Sequence, residues 1–406
     1  MPTTFAPTAF DRWTPLPYQQ AVVRYLKQEE PQVWQWAASA QARSEHAQWV
    51  RSELLKGTYR LDADSHPDLH ERCAQAAARL QLDVPVTLYQ AGDGAMNAAL
   101  YFVPGEAHIV LSGPVHERLQ GGELEALLGH ELSHYHLWTR DGGDYHTADR
   151  VLGAAAADTR AGASHLHTAR LYRLYTEMFA DRGGCVACGA LLPAVGALIK
   201  TQTGLAEVSA ESYLRQAAEV LERPPGRSAG ESHPEAFVRA HGLALWVEGA
   251  AGADERLAAL IEGPLALDTL DLLGQQRLTS LTRRVLAQLL APRCLRSPAL
   301  LAQARRFFPD FEPAGAGSSD VALDAEVAAS GGTHEYLAWL LLDFAAGDRE
   351  LDDVPLAAAL QLAHRLGIGE AFEPLAQRQL GLARRSLTRL KQEAAGLLAR
   401  AEAEHG

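Results

Sequence analysis

Apolar and polar positions change their period along the first 200 residues of this chain. Three short runs, VPVTLYQ (84 to 90), AALYFV (98 to 103) and HIVLSG (108 to 113), are rich in β-branched and aromatic residues, and Pro104-Gly105-Glu106-Ala107 separates the last two. This pattern predicts a strand followed by a hairpin. After the breaker Gly121-Gly122, Leu124, Leu127, Leu128, Leu132 and Tyr135 recur at helical spacing as far as about Trp138. A Gly- and Ala-rich stretch (141 to 164) follows, and then a second helical run, SHLHTARLYRLYTEMFADR, leads into GGCVACGALLPAVGALI (183 to 199). That uncharged segment is short for a bilayer span and carries Pro193 in its interior, so it reads as a buried helix. More helix is expected over 205 to 223, then a loop (222 to 234) whose Pro234 suits the first turn of the next helix.

These elements predict an α+β fold, mostly helical, with a small sheet. Residues 1 to 80 read as a helical N-terminal region in which Trp13, Trp34, Trp36 and Trp49 serve as packing anchors. The α+β core is expected over 81 to 250 and a helical extension over 251 to 308. A linker over 309 to 332 opens on the Pro-, Gly- and Ser-rich PDFEPAGAGSSD, and a compact helical domain over 333 to 406 ends in an amphipathic helix. A chain of 406 residues with 47% apolar side chains is long enough for two or three such domains.

Composition narrows the function. A formal net charge of -13 with no basic run argues against nucleic acid as a partner. The start, MPTTFAPTAFDRW, lacks a secretory pattern. Cys73, Cys185, Cys188 and Cys294 are too sparse for a disulfide framework and fit a reducing compartment. The expected location is the cytoplasm, with no transmembrane span; peripheral association with a membrane stays open. Cys185-Val-Ala-Cys188 has metal-knuckle or redox spacing but no second pair, and reads as small buried residues.

The chemistry concentrates in His130-Glu131-Leu132-Ser133-His134. Residues four apart project from one helix face, so His130 and His134 can offer two imidazole nitrogens to one cation. Glu131, beside the first ligand, can deprotonate a water held there without being a ligand itself. His136 lies about 200° around the helix from His134 and cannot easily join them. A catalytic zinc takes three protein ligands. Positions 137 and 140 are Leu137 and Arg140, so no downstream histidine completes the set, and Glu177 in YTEMFAD is the best candidate. Asp181, one turn on, can accept a hydrogen bond from the outer nitrogen of a ligand histidine. The plainer reading makes Glu177 and Asp181 a solvated acidic face.

The order Asn97-Ala98, hairpin, His130-Glu131-x-x-His134, Glu177-x-x-Ala180-Asp181, then Ser232-His233-Pro234 with Arg239, resembles the HtpX-like and CAAX-prenyl-protease-like gluzincin metallopeptidases over roughly 80 to 250. The resemblance implies a zincin-type core with one Zn2+ per chain, held by His130, His134 and Glu177. It implies Glu131 as the general base of peptide-bond hydrolysis and Asp181 as the residue that orients a ligand. His233 and Arg239 would lie near the oxyanion, or else be a helix cap and a surface charge. The substrate, a protein or peptide, would add as a strand to an edge strand, either 98 to 103 or 108 to 113. Many relatives are integral membrane proteins, so this chain is similar to a soluble branch.

Residues 336 to 368, with Asp343, Asp348 and Glu350 on an acidic loop, resemble a TerB-like domain, which would imply a protein partner there. A plain helical bundle fits the same segment. Two alternatives therefore accompany the zinc endopeptidase: a zinc-binding but inactive scaffold working through its C-terminal domain, and a protease held shut by its helical appendages.

Overall fold

The computed structural model describes residues 10–92, 94–222, 227–315 and 320–404, and it divides into two compact units, Met1–Gly263 and Pro264–Gly406. The architecture is α+β and mostly helical. In the first unit the order is α1 (Pro17–Glu29), α2 (Pro31–Ala37), α3 (Ala40–Gly57), β1 (Tyr59–Arg60), α4 (Pro67–Arg79), β2 (Val86–Gln90), β3 (Asn97–Val103) and β4 (Glu106–Ser112). Then come α5 (Val115–Arg118), α6 (Gly122–Thr139), α7 (Asp144–Ala157), α8 (Ala163–Cys188), α9 (Leu191–Thr203), α10 (Ala210–Leu221), α11 (Ala236–Glu248) and α12 (Ala253–Glu262).

The predicted strand and hairpin are present. Val103 pairs with Glu106 across the turn, where Gly105 takes the positive φ of 85° that a tight turn demands. Local pattern did not reveal the pairing of β2 with β4, which is parallel, or the two-residue strand β1 that extends the sheet to the order β1-β2-β4-β3. Parallel pairing joins segments that are distant in sequence, and no turn signal announces it. Because β4 has neighbours on both sides, the expected edge resolves to β3; the 108 to 113 segment lies inside the sheet.

The N-terminal helices are part of this unit. Val50 and Leu54 of α3 pack on Tyr89, Val103 and Val110 of the sheet. From α1, Gln19 Nε2 donates to Thr176 Oγ1 and Tyr18 stacks on Tyr175 of α8. Trp13 is a packing anchor, but Trp36 and Trp49 are 62% and 56% exposed, so the anchor reading does not extend to them.

At the centre, α6 runs antiparallel to α8, and small residues set their separation. A Cβ added at Gly129 would stand 2.1 Å from Ala187 Cβ, and one added at Gly183 would stand 1.8 Å from Ser133 Oγ. Such close approach is available only where side chains are missing. Helix α8 has 26 residues and stops at Gly189, whose left-handed φ of 74° caps it, with its N–H donating to Cys185 O. The uncharged 183 to 199 segment is therefore two helix ends and a turn, with Pro193 in the first turn of α9, where a proline is tolerated. Pro234 precedes α11 rather than entering its first turn. No described helix is long and apolar enough to cross a membrane.

The second unit comprises α13 (Leu272–Leu289), α14 (Pro298–Phe307), α15 (Val321–Ala329), α16 (His334–Ala345), α17 (Val354–Arg365), α18 (Gly369–Leu380) and α19 (Arg384–Glu404). Its core joins Val285 and Leu289 of α13 to Phe311, Leu323, Leu341, Leu360 and Phe372. Residues 309–315 and 320–332 of the Pro/Gly-rich segment thus lie within this unit, whose boundary is at Gly263 and Pro264; 316–319 fall outside the described residues. Phe311 is fully buried, and α15 is capped by Asp320, which accepts from Leu323 N–H. Composition signalled a linker, but Phe311, Leu323 and Val327 bury their side chains in this core.

Candidate metal centre

Helix α6 carries His130, Glu131 and His134 into the interior, and the acidic residues of its first turn, Glu123 and Glu125, complement its own N-terminus. Buried Glu125 accepts from Arg72 at 2.8 Å and Arg79 at 2.7 Å, both on α4. Helix α8 runs alongside and places Glu177 opposite His134, and Asp181 opposite His130. His130 Nε2 lies 3.4 Å from Glu177 Oε2, and His134 Nε2 lies 3.7 Å from Glu177 Oε1. Donor atoms of these three residues all fall within 4.8 Å of one another, and the group could hold a metal ion.

The donor chemistry fits a divalent cation. Two imidazoles and a carboxylate are the mixed N and O set of many such sites. Within the group, His134 Nδ1 and Glu177 Oε2 are buried with no hydrogen-bond partner. Buried polar atoms are ordinarily satisfied, and the orphaned Glu177 Oε2, facing His130 Nε2, suits a missing partner.

Around this set the polar contacts are specific. His130 Nδ1 donates to Asp181 Oδ1 at 3.0 Å, which leaves Nε2 free to face Glu177. Arg239, from α11, donates through Nε to Asp181 Oδ2 at 2.7 Å and through Nη2 to Oδ1 at 2.5 Å. The same Nη2 lies 3.6 Å from Glu177 Oε2. Arg239 is therefore buried against the carboxylates, not a surface charge. His233 Nε2 lies 3.4 Å from Glu177 Oε2, with its side chain 54% exposed. Ser232 Oγ and His233 Nδ1 are 2.9 Å apart. The solvated-face reading of Glu177 and Asp181 fails, since both are buried.

Burial and charge set the protonation preferences. Burial raises Glu131 to about 7, against His130 and a hydrogen bond from the Leu100 backbone on β3, which both pull it down. Burial disfavours charge on His130, but Asp181 and Glu177 hold it at about 10. His134 is pushed down to about 4 by burial. Glu177 stays near 2 despite burial, because His130, His134 and Arg239 surround it. Asp181 is held below the ordinary carboxylate range, chiefly by Arg239 acting against burial.

His136 takes no part. It stacks on Trp13 at 4.5 Å, on the face of α6 away from Glu177. Cys185 and Cys188 both direct their thiols to Ala190 O, and neither belongs to the metal-binding group.

A cavity of about 730 Å3 opens onto these residues. Met96 and Asn97 to Leu100 of the edge strand β3 form one wall, and α9 contributes Ala194, Ala197 and Leu198. Trp138, Asp149 and Arg173 line it as well. Sequence reasoning passed over these three. A partial signal existed, because Trp138 follows His134 by four residues and Arg173 precedes Glu177 by four, so each extends its ligand's helix face. No protein-family model matches the chain, and a search of curated proteins finds no match.

Proposed function

We propose that the chain is a zinc-dependent endopeptidase of the gluzincin type. The observation that carries this reading is the convergence of His130, His134 and Glu177 at the floor of a cavity walled by a sheet edge, with Glu131 beside them. His130, His134 and Glu177 would hold the zinc. When bound, zinc acidifies a water and polarises a carbonyl, the chemistry that peptide hydrolysis needs.

The chain's own residues supply the rest. Glu131 accepts a proton from the attacking water and returns it to the nitrogen of the departing amine. Its carboxylate is held in place by the Leu100 backbone, so the strand that would align the substrate also orients the base. The free edge of β3 offers backbone donors and acceptors to an extended chain. His233, half-exposed beside Glu177, is positioned to donate to a developing oxyanion. Arg239 acts through Asp181, which fixes the ring of His130, and is a positioning residue. The resemblance to HtpX-like peptidases supports the same assignments, and a cytoplasmic setting accords with the sparse cysteines.

The test is zinc content and turnover measured together on purified protein. Glu131→Gln is expected to retain zinc by elemental analysis and to cleave a denatured protein at least about 100-fold more slowly than the parent, the loss typical of a missing general base. Equal rates in Glu131→Gln and the parent would overturn the assignment. If the parent binds zinc but cleaves neither denatured proteins nor itself, the scaffold reading prevails.

A further inference from the structure

We infer that Asp149, with the ring face of Trp138, forms a subsite that takes a lysine or arginine side chain of the bound polypeptide. This rests on the peptidase reading above and specifies which chains that site accepts. Helices α6 and α8 are antiparallel, so one turn past His134 on the first and one turn before Glu177 on the second move the same way along the cavity. Those steps reach Trp138 and Arg173, about 6 Å from the ligand positions at 1.5 Å per residue. Helix α7 brings Asp149 to the same end, and all three residues line the cavity.

The carboxylates in this lining are otherwise committed. Glu177 belongs to the metal-binding set, Asp181 is held between His130 and Arg239, and Glu131 faces Leu100. Glu235 accepts from Ser228 Oγ at 2.7 Å and from Ala229 N–H at 2.8 Å. Asp149, in contrast, makes no hydrogen bond or ion pair among the described residues, and Arg173, exposed to solvent, acts on it only at a distance. Asp149 is half-buried in the cavity wall without a donor, and a cationic group from a ligand would supply one. Trp138 lines the same cavity with an aromatic ring, a surface over which an ammonium or guanidinium is attracted. Its ring is braced by His134 at 5.6 Å and His146 at 5.7 Å. The opposite end of the cavity, with Ala126, Leu127, Ala194, Ala197 and Leu198, offers no such group.

Binding can be read without turnover. Zinc-loaded Glu131→Gln protein is titrated with fluorescently labelled extended peptides that differ at one position, carrying lysine, norleucine or glutamate, with that position moved along the peptide. At one register the lysine peptide is expected to bind at least about tenfold more tightly than its norleucine twin, the effect of one charge-assisted hydrogen bond. Adding Asp149→Asn or Asp149→Ser should bring the two affinities together, with each variant's fold checked by its thermal unfolding. Equal affinities at every register, a preference for glutamate, a lysine preference that survives both substitutions, or no binding of any peptide overturns the inference. Failure of the peptidase reading looks different: lysine peptides are discriminated, yet the zinc-loaded parent cleaves nothing. Cleavage of denatured protein without regard to basic residues instead leaves that reading standing and removes the subsite.

Discussion

Arg239 grips Asp181 with two hydrogen bonds, Nε to Oδ2 at 2.7 Å and Nη2 to Oδ1 at 2.5 Å, and the side chains are only 12% and 6% exposed. Through Asp181 the arginine reaches His130 Nδ1, so a guanidinium on α11 fixes the ring of a residue on α6. Removing one partner of a buried pair strands the other charge, at about 3–5 kcal/mol. Arg239→Met should therefore destabilise the protein by about that amount in urea unfolding. It should also lower metal affinity roughly 10- to 100-fold in competition with a chelator, the usual effect of losing a ligand's orienting partner. Arg239→Lys keeps the charge but not the fork, and should lose less stability. Unchanged metal affinity in Arg239→Met would show that Asp181 holds His130 unaided.

The spacing of α6 and α8 leads to a second expectation. At Gly129 the nearest atom to an added Cβ is Ala187 Cβ at 2.1 Å, which has no rotamer through which to retreat. Gly129→Ala must push the helices apart, with an overpacking cost of about 1–3 kcal/mol. Because His130 and Glu177 lie on the two separated helices, metal affinity should fall with it. Gly153→Ala is the contrasting case: nothing lies within 4 Å of its added Cβ in the middle of α7, and it should stabilise by roughly 0.5–1 kcal/mol. Chemical denaturation and metal titration of both variants decide the matter. Equal effects at the two glycines would contradict the close-approach argument.

Much of this site is legible in the sequence because helices print their faces at fixed intervals. His130 and His134 are four apart, Glu177 and Asp181 are four apart, and each pair emerges on one face. The exclusion of His136 follows from the same geometry. What sequence alone left open involves contacts between distant segments. The Asp181–Arg239 pair spans 58 residues, and nothing in Arg239's neighbours distinguishes a buried fork from a surface charge. Asp149 sits in no motif at all. The edge strand could be narrowed to two segments, but only the parallel pairing of β2 with β4 selects β3. The 309 to 332 segment misled because glycine and proline report backbone freedom, whereas Phe311 decides where the segment packs.

Trp13 closes the back of the site. Its Nε1 donates to Phe179 O at 3.0 Å, and its ring stacks on Phe179 at 4.9 Å, on the far side of α8 from the cavity. Trp13→Ala removes a fully buried ring and should cost about 3–5 kcal/mol. Trp13→Phe keeps most of the area but leaves the Phe179 carbonyl without this donor, and should cost about 1–3 kcal/mol. Thermal unfolding followed by near-ultraviolet circular dichroism tests the order. If both substitutions cost the same, the hydrogen bond rather than the ring would carry the stability.

Asp149 yields the last prediction, which concerns stability and does not depend on any ligand. Burial raises its carboxyl from the ordinary 3.8 to about 6, and Arg173 only partly opposes this. The folded protein therefore binds this proton more tightly than the unfolded chain. Well below 3.8, at about pH 3 and lower, both states are protonated and the residue has almost no effect on the balance. As pH rises toward 6, the unfolded chain ionises first and gains free energy, so folded stability declines across that window; above it the deficit is constant. Asp149→Asn preserves the shape and cannot ionise. Its melting temperature should exceed the parent's at pH 8, and the two should converge at about pH 3 and below. An offset of equal size at both pH values would mean that the substitution acts through packing, and that the folded protein does not raise the Asp149 carboxyl.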